Sequence, residues 1–133
     1  MAKGREEHEA RVAALNMLGK DLARRAKSKC ELCERGGEKL QIFEVPPVPH
    51  DPDFGRSLLL CAECAEQAAD PRRLKSGEHW RFLAGQAWSE NPMVQVMAIR
   101  LLKRLAKTQD WAREALDELF LDEEIEALVT EGE

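Results

Sequence analysis

The chain has 133 residues, of which 44% are apolar and 34% charged, and its formal net charge is −5. That is room for one packed domain. No apolar run approaches the ~18–20 residues of a membrane span, and the N-terminus lacks the apolar core of a signal peptide. An acidic average is unlike that of a dedicated nucleic-acid binder, which is usually basic as a whole. The charge is uneven, however: +4 over residues 1–29, zero over 30–107 and −9 over 108–133.

In chain order, residues 1–29 are expected to hold an N-terminal amphipathic helix, regular over 6–27. Val12, Leu15, Leu18, Leu22 and Ala26 recur at intervals of three and four and form one apolar stripe. Its end carries Arg24, Arg25, Lys27 and Lys29. Cations favour a helix C-terminus through the macrodipole, and they would equally suit a phosphate or other anion. Leu40–Val45 reads as a short strand stopped by Pro46, Pro47 and Pro49, since proline cannot donate to a ladder. A loop with His50, Asp51 and Asp53 follows, then a returning strand, Leu58-Leu59-Leu60. From Cys61 to Ala69 the pattern turns helical, with Pro71 as a stop.

Residues 72–129 read as a helical region. Trp80, Leu83, Ala84, Ala87 and Trp88 share a face in a segment opened by Gly77 and Glu78. Asn91-Pro92 is a helix start, an N-cap followed by proline at the first helical position. Val94, Met97, Ala98, Leu101, Leu102 and Leu105 then line one side, and Arg100, Lys103, Arg104 and Lys107 the other. Asp110 opens a helix with Trp111, Ala115, Leu116 and Leu119 inward, and Asp122 caps a last turn through Val129. The dense negative charge of 108–133 is expected to lie near a basic surface.

The chemistry sits in residues 28–70. Cys30-Glu31-Leu32-Cys33 and Cys61-Ala62-Glu63-Cys64 are two C-x-x-C pairs separated by 27 residues, and they hold every cysteine of the chain. Two such pairs place four thiolates around one tetrahedral zinc ion, with Zn–S near ~2.3 Å. Disulfides would require an oxidising compartment, which nothing marks. The expectation is one structural zinc per chain in a cytoplasmic protein, because four cysteine ligands leave no exchangeable position for water or substrate. Lys29 and Arg35 can offset part of the charge of a tetrathiolate centre, and Gly36 and Gly37 can take the positive φ of a turn after the first pair. Cysteine pair, hairpin, then cysteines at a helix start predicts a treble-clef finger. The fold class is therefore α+β, mainly α: a β-hairpin and helix holding the metal, flanked by an N-terminal helix and a C-terminal helical bundle.

This module resembles HNH endonucleases in its Cys-x-Leu-Cys, its Leu40–Pro46 strand and its Leu58-Leu59-Leu60-Cys61-x-x-Cys64. In those nucleases the strand ends in a histidine pair, one member being the general base; here the positions are Phe43 and Glu44. Ala65 follows Cys64 where a further asparagine or histidine is expected. In-line phosphodiester hydrolysis then lacks its base and its second metal's ligands.

Residues 18–128 are similar to the PhnA family, small zinc-binding proteins first named from an alkylphosphonate-utilisation operon. The resemblance is carried by Leu18 through Cys33, Glu44-Val45-Pro46-Pro47, Leu60-Cys61-x-x-Cys64, His79-Trp80-Arg81, Trp88-Ser89-Glu90 and Pro92-x-Val94-Gln95-Val96-Met97-Ala98. Leu101-Leu102-Lys103-Arg104-Leu105 and Leu121-Asp122-Glu123-Glu124 extend it. It implies a bacterial-type zinc module in a regulatory or binding role. The expected function is thus a non-enzymatic binding or adaptor protein with a protein partner and no membrane contact. Two alternatives stand beside it. One is a nucleic-acid-binding finger using Arg24, Arg25, Lys27, Lys29, Arg72, Arg73 and Lys75. The other is an enzyme of phosphonate metabolism, or a nuclease with relocated groups, for which His50, Asp51 and Asp53 are the compact candidate.

Overall fold

The structure is a computed structural model and describes residues 2–70, 74 and 78–131. The chain is α+β and mainly helical, with one two-stranded antiparallel sheet. Arg72, Arg73 and Lys75 of the proposed basic patch, together with Pro71 and Gly77, lie outside the described residues. Among the described residues no helix is long and apolar enough to cross a membrane.

Helix α1 spans Ala2–Ala26. Strands β1 (Leu40–Glu44) and β2 (Ser57–Cys61) pair from Leu40↔Cys61 to Glu44↔Ser57. Helix α2 (Ala62–Ala69) begins one residue after the strand, with Cys61 as its N-cap. A 3-10 turn at Glu78–Phe82 leads into the single turn α3 (Leu83–Gln86). Then follow α4 (Pro92–Leu105), α5 (Asp110–Asp117) and α6 (Glu123–Glu131).

The hairpin is a wall with an element on each face. Side chains alternate along a strand, so Leu58 and Leu60 of β2 enter the main core with Val45, Leu83 and the apolar residues of α4. Leu59 points the other way, where Leu22 and Ala26 of α1 cover it together with Leu18, Leu40 and Ile42. All five residues of β2 are buried for this reason.

Only part of the expected α1 stripe is used. Leu22 is fully buried and Leu18 packs beside it, whereas Val12 is 42% exposed. The cause is length. Five strand residues cover about 17 Å and a 25-residue helix about 37 Å, so the first half of α1 runs past the sheet. There the attachment is polar: Arg11 donates two hydrogen bonds to the Glu44 carboxylate, at 2.8 and 2.7 Å, and a third to the Pro49 carbonyl at 3.1 Å.

α4 is the central helix. Asn91 caps it as expected, its side chain accepting from the Met93 N–H at 3.1 Å with Pro92 in the first turn. Its burial is broader than one face: Met93, Val96 and Ile99 are buried in addition to the expected residues, because β2, α3, α5 and α6 all pack around it. Trp80 is buried, but Trp88, read as its partner on one stripe, is 52% exposed. The helical run breaks between them, a 3-10 turn passing into one α-turn, and this rotates Trp88 off the core face. Asp122 caps α6 through the Ile125 N–H at 2.9 Å.

The acidic C-terminal segment is fastened to α4 by hydrogen bonds to its backbone carbonyls. Arg100 donates to the carbonyls of Leu128 (2.6 Å) and Val129 (3.2 Å).

Candidate metal centre

The two cysteine pairs converge. One sulfur from each of Cys30, Cys33, Cys61 and Cys64 lies within 4.8 Å of every other, a cluster able to hold a metal ion. Each pair is delivered by a local structure that its sequence dictates. Cys30 and Cys33 sit on a tight turn closed by Glu34 N–H to Cys30 C=O (2.8 Å) and Cys30 N–H to Arg35 C=O (3.1 Å). Cys61 ends β2, and Cys64 lies on the first turn of α2. The strand-to-helix junction therefore fixes the second pair, and pairing of Leu40 with Cys61 fixes its register.

The turn bends differently from expectation. Gly37 has φ +76, but Gly36 is not left-handed; it bridges to Lys29 instead. Besides Lys27 and Ser28 ahead of the first pair, the other left-handed residue is Glu34, at φ +64, immediately after Cys33. The chain must reverse directly behind Cys33, so the strain falls on the residue found there.

Electrostatically the cluster favours a thiolate on Cys30. Backbone N–H groups of Leu32, Cys33 and Cys61 help stabilise negative charge on Cys30, and the largest influence is a hydrogen bond with Cys64. Together they pull the Cys30 thiol down to about 4. Burial pushes Cys33 up to about 11. Cys64 is raised as well, first because it donates to Cys30, then by burial and by the neighbouring thiolates. Cys33 and Cys64 thus resist ionisation beside the Cys30 thiolate, and a bound cation would offset that cost. Arg35 supplies nearby positive charge: the Cys33 charge is the first cause of its raised pKa, and its guanidinium also reaches Glu63 at 3.3 Å.

Around the sulfurs lies a network that the cysteine spacing does not announce. Glu31, inside the first C-x-x-C, has a side chain only 7% exposed. Its carboxylate accepts from Arg25 Nε (2.7 Å), Arg25 Nη2 (2.8 Å) and the Leu59 N–H (2.8 Å), and meets Asn91 Nδ2 at 3.5 Å. Arg25 also donates to the Ser57 carbonyl at 2.8 Å and stacks over Phe54, 4.5 Å from the ring centre. Gln86 of α3 donates to the Leu32 carbonyl at 2.6 Å. The two residues between the first cysteines thereby tie the turn to α1, β2, α3 and the N-cap of α4. The audible sequence signal was a C-x-x-C interior occupied by Glu and preceded, six residues earlier, by Arg.

The other sequence candidates are placed as follows. Arg25 is engaged and half-buried, so it leaves the basic patch, while Arg24, Lys27 and Lys29 are exposed. Arg24 faces Asp21 at 3.7 Å. His50 and Asp51 touch each other at 3.2 Å with side chains 96% and 91% exposed, and Asp53 is spent capping the turn at Gly55. Phe43 packs against the core and Glu44 is held by Arg11. Compared with family models, with curated proteins and with solved structures, the chain matches none.

Proposed function

We propose that the chain is a zinc protein whose four-cysteine module is a treble-clef finger, and that it acts without catalysis as a binding or regulatory adaptor of the PhnA type. The observation that carries the reading is the convergence of four sulfurs within 4.8 Å on a turn and a strand–helix junction. Soft thiolate ligands in a set of four favour zinc, or an iron–sulfur centre. Zinc with four thiolates has a full coordination sphere, which suits a structural role and leaves no place to activate water. Glu44 at the position of a nuclease histidine, locked to Arg11, supports the same conclusion.

Metal analysis of the purified chain tests it: one zinc per chain and no visible colour are expected, and iron, or no metal, overturns it. The non-catalytic part has its own test. Plasmid DNA should survive incubation with magnesium, manganese or zinc, and cleavage that vanishes in His50→Ala would restore the nuclease reading. A nucleic-acid role is the second reading, supported by the exposed Arg24, Lys27 and Lys29 beside the turn. Pull-down from native extract with and without nuclease treatment separates it from a protein partner.

A further inference from the structure

The hold on α1 passes through the metal module. Its apolar residues Leu22 and Ala26 meet the outer hairpin face in a cluster separate from the main core. Its main packing partners are β2 and the 3-10 turn at Phe54–Arg56. The charged attachment has two parts: Arg11 near the middle of the helix is held by Glu44 of β1, and Arg25 at its end is held by Glu31, which is covalently between two sulfur donors and is oriented by backbone and side-chain bonds to Leu59, at 2.9 and 2.8 Å. The position of the Glu31 carboxylate therefore depends on the turn that carries Cys30 and Cys33. Cys30, Cys61 and Cys64 also touch the main core, but α4, α5 and α6 pack chiefly on one another there, on the side of the sheet away from the α1 cluster.

We infer that α1 is a metal-gated strap: the loaded turn presents Glu31 to Arg25 and seats the helix, and loss of metal releases it while the α4–α6 core stays folded. Release uncovers two apolar surfaces, Leu18, Leu22 and Ala26 on the helix and Leu40, Ile42 and Leu59 on the hairpin. The inference rests on the zinc reading and deepens it, since the gate is the same four-cysteine site. Coupling between two equilibria is reciprocal, so docking of α1 must strengthen metal binding by the factor with which metal strengthens docking; such factors are typically about 5–150. Sub-global opening of this kind is an ordinary property of folded domains.

Amide hydrogen exchange on the full chain, with zinc content measured on the same samples, tests the strap. The zinc-loaded protein should protect residues 18–26 and α4 alike. Chelation should accelerate exchange in 18–26 at least tenfold, with α4 remaining protected, and added zinc should reverse it. Arg25→Gln, which leaves all four cysteines in place, should still bind one zinc, exchange faster in α1, and lose metal to a chelator with at least fivefold lower apparent affinity. Continued protection of α1 in the stripped protein, or simultaneous loss of protection in α1 and α4, overturns the strap although zinc binds. An Arg25→Gln chain with unchanged exchange and unchanged zinc affinity overturns it too. Absence of any bound metal would be a different failure, that of the zinc reading itself, and would be seen first in the metal analysis.

Discussion

Glu34 occupies a backbone conformation that L side chains avoid, at a cost of roughly 1–2 kcal/mol. Glycine there removes the cost and adds back some unfolded-state freedom. Glu34→Gly should therefore stabilise the loaded protein by up to about 1 kcal/mol in a denaturant titration. Gly19 is the converse case, a glycine in the interior of α1 where its freedom is only a cost. A Cβ built on it would sit 3.6 Å from Ile42 Cδ1, an ordinary contact. Gly19→Ala should raise stability by about 1 kcal/mol, and a loss instead would mean that α1 sits closer to β1 than described. The convergence of the four cysteines was legible because two C-x-x-C pairs are the spacing of a four-sulfur set. Glu31 was not, since a lone acidic residue between ligands looks like solvated surface until Arg25 and Leu59 are brought to it by the fold.

Capping chemistry read correctly at the scale of elements, because Asn91-Pro92 and Asp122 act on neighbours a few residues away. Burial of α4 did not. A periodicity reading looks for one apolar face, whereas a helix surrounded by other elements buries several, and Met93, Val96 and Ile99 declare this only in the assembled bundle. Arg100 shows the same limit: it reads as part of a basic surface, but it closes the last turn of α6 by binding two carbonyls. Charge-assisted hydrogen bonds of this kind contribute about 1.5–3 kcal/mol. Arg100→Ala should cost about that much and should raise amide exchange in 123–131 before it affects the hairpin. An α6 that exchanges normally in this variant would show that Ile125 and Val129 hold the helix without the cap.

Across the whole molecule, a metal bound at the four cysteines would compete with protons for the same sulfurs. Cys33, at about 11, and Cys64, also raised, carry protons at neutral pH when the metal is absent, and loading must displace both. Displacing at least these two protons makes apparent affinity rise by about a hundredfold or more per pH unit and fall equally as pH drops. Zinc titrations at pH 6, 7 and 8 should show this slope; a flat profile would mean that the metal-free cluster is already ionised. The turn bearing Glu31 has one more effect. It covers the side of β2 that β1 leaves open, taking both the N–H and the C=O of Leu59. An uncovered edge of three consecutive leucines is a template for pairing with another chain. Metal depletion should thus turn a guarded strand into a sticky one, and the stripped protein should scatter light increasingly with its concentration while the loaded protein does not.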